Sequence, residues 1–213
     1  MDSSLTAHAG PPRRARPLVA IYADESCLGN GRDGENPGGA GVLLEYQPRQ
    51  GELIRRDLWV SAPATTNNRM ALQSVIETFR ALNAKDRVFR VAFTTDSRYI
   101  VDGMTDWVFA WARRGWQRKG GAVENLELWF DALREASAHP IAWRWVRGHA
   151  GHAQNEYANH LATRAAGRQD ASGGFVASEF DAWCEAHPVA SGEVEPFPVA
   201  RDFRPSRALP TAP

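Results

Sequence analysis

Leu18-Val19-Ala20-Ile21-Tyr22-Ala23-Asp24-Glu25-Ser26-Cys27 is the stretch from which the fold can be worked out. Its first six residues are apolar and rich in strand formers, which predicts a buried strand. An acidic pair ends the run. Residues 28–39 follow as a loop, with five glycines and Pro37. Ala40 to Tyr46 reads as a second strand, residues 48–51 as a turn, and Leu53 to Val60 as a third strand, an antiparallel meander. The period then changes. Met70, Leu72, Val75, Ile76, Phe79 and Leu82 recur at three- and four-residue steps, predicting an amphipathic helix with Thr66, Asn67 and Asn68 as candidate caps. Val88 to Thr94 is a fourth strand, followed by Thr95-Asp96-Ser97. Helix is expected from Ser97 to Met104 and on through Trp107 and Trp111, and again from Leu126 to Ala136. Ile141 to Val146 is a fifth strand and Asn155 to Ala166 a last helix. A meander followed by strand–helix crossovers implies an α/β fold, a five-stranded mixed sheet flanked by helices.

The 213 residues are 43% hydrophobic, which suits one domain plus tails. We expect a disordered arm over residues 1–16, a domain over 17–168 and a mostly flexible extension over 169–213, in which Phe175, Phe180 and Trp183 mark one short docked segment. Basic and acidic residues balance at 25 each, so net charge selects no partner. Cys27 and Cys184 make neither a disulfide framework nor a zinc pattern, which favours a reducing cytoplasm. Residues 1–17 have no apolar run like a signal-peptide core, and no stretch approaches the ~20 apolar residues of a membrane span.

Three places could carry chemistry. Asp24 and Asp96 follow two strands that, as sheet neighbours, would deliver both carboxylates to one edge. Such a pair repels unless a hard divalent cation lies between them, and magnesium prefers oxygen ligands. The blander account is that both aspartates only end strands or cap helices. Trp107, Trp111 and Trp116 are interleaved with Arg113, Arg114, Gln117, Arg118 and Lys119, without an acid between Asp106 and Glu124. Basic residues among aromatics suit a nucleic-acid backbone, although Trp107 and Trp111, four residues apart, also fit a core. His149 lies in Trp145-Val146-Arg147-Gly148-His149-Ala150-Gly151-His152, a glycine-flanked loop after a strand where an imidazole could move protons.

In the same order and at compatible spacing, these segments resemble type 1 ribonuclease H from about Leu18 to Gly167. The matching stretches are residues 22–30, Pro37 to Gly41, Thr66 to Met70, Thr95-Asp96-Ser97, Trp107 through Trp116, and Trp145 to His152 with Asn155-Glu156. The resemblance implies two magnesium ions and cleavage of the RNA strand of an RNA–DNA hybrid; we further expect manganese as an alternative ion and a monomer. It implies Asp24 and Asp96 as catalytic metal ligands and His149 as the loop histidine that helps product leave. It places Cys27, Asn30, Asn68 and Arg69 on the hybrid's minor groove and backbone, and Trp107, Trp111, Arg113, Arg114, Trp116, Arg118 and Lys119 along the grip on the DNA strand. Two carboxylate positions of the family are substituted. A glutamate position is Ala71, and an aspartate position on the last helix is Asn159, which can ligate only through a neutral carbonyl. Candidate substitutes are Glu156, three residues before Asn159, and Glu25, which a regular strand would point away from Asp24. Asp33 and Glu35 on the glycine-rich loop are further candidates. The alternative function is a catalytically inactive module that binds hybrid or double-stranded nucleic acid.

Overall fold

The computed structural model describes residues 16–29, 36–188 and 192–213. The meander is β1 (Leu18–Cys27), β2 (Gly38–Tyr46) and β3 (Ile54–Ala62), followed by α1 (Asn67–Asn83) and β4 (Arg90–Thr95). Helix then runs through α2 (Arg98–Asp102), a π-helical turn (Gly103–Trp107) and α3 (Val108–Ala112) into a small hairpin of β5 (Gln117–Arg118) and β6 (Gly121–Ala122). α4 (Leu126–Ala136), β7 (Ile141–Trp145) and α5 (Ala153–Arg168) complete the predicted order. The sheet order is β7-β4-β1-β2-β3-β8. Its sixth strand, where five were expected, is β8 (Val176–Ala177), two residues of the C-terminal extension paired antiparallel with β3. A two-residue strand carries no periodicity, so the sequence could not announce it.

β1 is central and apolar on both faces. Val19, Ile21 and Ala23 enter the larger core with α1, α4 and the α2–α3 segment. Ala20 and Tyr22 face the other way, against Tyr157 and Leu161 of α5 and Phe180 and Trp183 of α6 (Phe180–Ala186). This alternation assigns Asp24 to the α5 side and Glu25 to the α1 side. α5 lies close on β2 because two glycines leave room: a Cβ on Gly39 would come 2.3 Å from the Ala162 carbonyl, and one on Gly41 2.2 Å from that of Ala158. Gly103 meets Trp129 in the same way, with a Cβ falling 2.1 Å from its ring. Trp129 is fully buried, and its truncation to alanine should cost about 3–5 kcal/mol.

The C-terminal extension, expected to be mostly flexible, is seated on the domain. Phe180 and Trp183, predicted to dock, are buried. Further on, Ser206 N donates to Ile141 O at 2.7 Å and Ser206 Oγ accepts from Trp143 N at 3.2 Å, along the outer side of β7. The extension thus meets both edge strands, which would otherwise present unpaired backbone groups.

Candidate active site

β1 pairs parallel with β4, in register through Ala23 opposite Thr95. Asp24 and Asp96 are the next residues along the two strands, and because the strands are sheet neighbours the two carboxylates emerge together. Glu25 joins them: one carboxylate oxygen from each of Asp24, Glu25 and Asp96 lies within 4.8 Å of the others. No bulge turns Glu25 inward, since the β1–β2 register runs unbroken through Asp24–Gly41 and Glu25–Ala40. β4 stops opposite Ala23, so that edge of β1 is open at Glu25. A side chain as long as glutamate reaches round it, where it accepts a hydrogen bond from Ser97.

Electrostatics mark the three acids as a strained group. Asp24 is 7% exposed. Burial first, then the negative charges of Asp96, Glu25 and Glu156, push its pKa up to about 9. Burial and Asp96 push Glu25 up to about 8. Asp96 is also raised, mainly by burial, with hydrogen bonds and His149 opposing the shift. Partial relief comes from donors: Asp24 Oδ1 accepts from Glu25 N at 2.7 Å and Oδ2 from Asn155 Nδ2 at 3.3 Å. Asn155 is 2% exposed on the first turn of α5 and also hydrogen-bonds Asp96. Three carboxylates that resist ionising together, on hard oxygen donors, fit a divalent cation.

His149 adopts a left-handed backbone with φ +51° and a largely exposed ring, its Nδ1 3.5 Å from Glu156 Oε2. Glu156 lies beside the loop histidine and adds negative charge at Asp24 and Asp96, but is not in the close trio. Ala71 is in the core at 1% exposure and offers no oxygen. Asn159 is half-buried one turn beyond Asn155; the amide bonded to Asp24 is that of Asn155. Asn30, Asp33 and Glu35 lie outside the described residues.

A family model for RNase H matches residues 16–167. The chain belongs to the ribonuclease H family. A ribonuclease H of Pelobacter propionicus is 42% identical over 165 residues, covering 77% of this chain and 92% of that one. A ribonuclease H of Halorhodospira halophila is 45% identical over 150 residues, 70% and 93% of the two chains. The crystal structure of LC9-RNase H1, described as a type 1 RNase H with the type 2 active-site motif, is 64% identical, with a TM-score of 0.88 over 92% of this chain and 95% of that one.

Within this ribonuclease H, the other candidate residues fall into two linked groups. Cys27 is half-buried at the end of β1, and Asn68 and Arg69 are exposed on the first turn of α1, whose cap is Thr66. Arg69 Nη1 donates to Asn125 Oδ1 at 3.4 Å, and Asn125 donates to the Tyr99 hydroxyl at 3.3 Å. Tyr99 packs on Trp107 and Trp129, Trp107 on Trp111, and Trp111 edge-on to Trp129. Trp116 packs edge-on to Phe130, with ring centroids 4.8 Å apart. The tryptophans thus anchor the segment, while Arg113, Arg114, Arg118 and Lys119 are exposed. Arg118 pairs with Glu124 at 3.0 Å. Among the described residues, no helix is long and apolar enough to cross a membrane.

Nothing in the sequence marks Asn155 beyond its place in a matching stretch. Gly148 has a role visible in the fold: a Cβ there would fall 2.1 Å from Asp96 Oδ2. A glycine directly before the loop histidine was the available signal.

Proposed function

We propose that this enzyme hydrolyses the RNA strand of RNA–DNA hybrids, using magnesium or manganese held by Asp24, Glu25 and Asp96. The observation that carries the reading is the convergence of these three carboxylates within 4.8 Å at two parallel strand ends. Family membership supplies the reaction class. Glu25 takes over the part of the acid missing at Ala71: it belongs to the side of β1 that faces α1, the helix carrying Ala71. Asn159 is the candidate neutral ligand, and Asn155 the amide that holds Asp24 in place.

A bound divalent cation would activate water and offset charge at the phosphate. The chain's own groups do the rest. Asn155 and the Glu25 amide fix the two oxygens of Asp24. His149, on its exposed loop beside Glu156, can take or give a proton near the leaving group. Cys27, Asn30, Asn68 and Arg69 contact the hybrid backbone and minor groove. The basic segment carried by Trp107, Trp111 and Trp116 grips the other strand, its cations meeting phosphates. We place the nuclease domain at residues 17–168 and read the enzyme as a cytoplasmic monomer.

The test is cleavage of a labelled RNA–DNA hybrid with magnesium and with manganese, beside Asp24→Asn. Metal-dependent cutting of the RNA strand that Asp24→Asn abolishes is the expected result. Tight hybrid binding with no cleavage in either metal would leave the inactive binding module in its place.

A further inference from the structure

We propose that Glu195, on the C-terminal extension, is a positioning residue for the catalytic centre, acting through His152 and Asn155. The inference rests on the proposed centre but not on its rate. Residues 192–195 lie alongside residues 151–154 as a short parallel strap. Glu193 N donates to Gly151 O at 2.8 Å, and Ala153 N donates to Glu193 O at 2.9 Å. The Gln154 side chain closes on the Glu195 backbone in both directions, donating to its carbonyl at 2.7 Å and accepting from its amide at 3.0 Å. Gly192 permits the approach: its φ is +65°, and a Cβ there would fall 2.2 Å from Gly151 O.

The strap delivers one carboxylate to a guanidinium and an imidazole. Glu195 Oε1 accepts from Arg144 Nη2 at 2.7 Å, and Oε2 lies 2.9 Å from His152 Nε2. These partners hold Glu195 ionised, with its pKa pulled down to about 2. A carboxylate only accepts, so His152 must carry its proton on Nε2. The opposite nitrogen is then bare, as its own contact requires: His152 Nδ1 accepts from Asn155 N at 3.4 Å and caps α5. The same Asn155 donates its side-chain amide to Asp24. Carboxylate, imidazole, helix cap and site amide thus form one chain of contacts, with the His152 ring also packed 5.5 Å from Tyr22 on β1. Without Glu195 either ring nitrogen could carry the proton. Each ring protonated on Nδ1 would present an N–H to the Asn155 N–H, loosening the first turn of α5.

The experiment compares full-length wild type, Glu195→Ala and Glu195→Gln in three readouts. Nitrogen-15 NMR of the His152 ring reports the tautomer, calorimetry with manganese alone reports metal affinity, and steady-state hybrid cleavage separates kcat from KM. Loss of an outer-shell partner typically costs metal affinity or activity about 10–100-fold. For Glu195→Ala we expect mixed tautomers, manganese binding weakened by about tenfold, and kcat lowered with KM for hybrid unchanged. Glu195→Gln, which keeps the shape of the strap, should move each readout the same way by less. In a His152→Asn background, asparagine caps α5 without help, and adding Glu195→Ala should then change metal affinity by less than about twofold. An unchanged tautomer in Glu195→Ala, unchanged manganese affinity, or an equal loss in the His152→Asn background would each overturn the proposal. A wild type that cuts no hybrid would sink the nuclease reading while the NMR and metal arms still decide the role of Glu195.

Discussion

Asn155 Nδ2 donates to Asp24 Oδ2 at 3.3 Å, joining the first turn of α5 to the end of β1 across 131 residues of sequence. The amide supplies a donor where another carboxylate would add to an already repelling group. Asn155→Ala should therefore leave Asp24 less well fixed and its charge less well compensated. The expected loss in kcat is about 10–100-fold, the range for groups that orient metal ligands. Steady-state cleavage at saturating hybrid checks it, and a kcat within twofold of wild type would show that Asp24 needs no such support.

Positions 25 and 71 should be exchangeable places for one negative charge, now carried by Glu25. Glu25→Gln should lower cleavage by more than the roughly 100-fold that outer-shell partners reach. Ala71→Glu alone buries a further acid in the core and should lower the thermal midpoint without raising activity. In Glu25→Ala, the added Ala71→Glu should recover part of the lost cleavage. If the double variant is no better than Glu25→Ala, Glu25 does not stand in for the acid absent at Ala71.

Much of this arrangement could be read from the chain. The alternation of β1, the helical period of α1 and the strand ends at Asp24 and Asp96 followed from residue type and spacing, because those signals are local. Glu25 could not be placed with the same assurance. Its inward reach depends on where β4 stops, a fact of the neighbouring strand rather than of β1. Asn155 was hidden for a related reason, since one polar residue on a helix shows its partner only when the sheet beneath is known. β8 and the strap at residues 192–195 depend on pairing by very short segments, which carry no periodicity to read.

The raised acids make a stability prediction with a definite sign. Asp24 and Glu25 titrate at about 9 and about 8 in the folded chain, against ordinary values of 3.8 and 4.5. Between the ordinary and the folded values, the folded state holds protons that the unfolded chain has released, so folding stability falls as pH rises through that window. Without metal, the thermal midpoint should drop between pH 6 and pH 9 by more than the roughly 2–4 °C that 1 kcal/mol is worth in a chain of this size. Magnesium should restore most of the loss at pH 9 and little at pH 6. Asp24→Asn should flatten the profile. Calorimetric scans with and without magnesium test this, and a metal-free midpoint that rises with pH would contradict the shared titration.

The basic segment should govern the salt dependence of binding. Arg113, Arg114, Arg118 and Lys119 are exposed, whereas the tryptophans that carry them are tied into packing. Changing the four cations to alanine should weaken hybrid binding and reduce the slope of log K against log salt by about 0.9 for each phosphate that is no longer neutralised. Cleavage at saturating hybrid should change much less than affinity. Binding isotherms across a salt series decide the matter, and an unaltered slope would remove this segment from the interface.

Gly148→Ala should separate stability from activity. The backbone of Gly148 lies outside the left-handed region, so alanine meets no strain there. Its Cβ would instead fall 2.1 Å from Asp96 Oδ2, the outer atom of a side chain that can rotate away. Rotation relieves the shortest contact, and Asp96 Cγ at 3.1 Å and Cβ at 3.3 Å need give by only a few tenths of an ångström, a small cost for the fold. It is costly for the site, since the displaced carboxylate is one of the three that converge within 4.8 Å. The thermal midpoint should stay within about 3 °C of wild type, the shift worth roughly 1 kcal/mol, while cleavage and manganese affinity both fall by at least tenfold. Affinity for hybrid in the absence of metal should be unchanged, because Gly148 is not among the proposed backbone contacts. A variant with full activity would mean that Asp96 keeps its place by another route, and one that unfolds would mean that the loop before His149 cannot yield even at a side-chain tip.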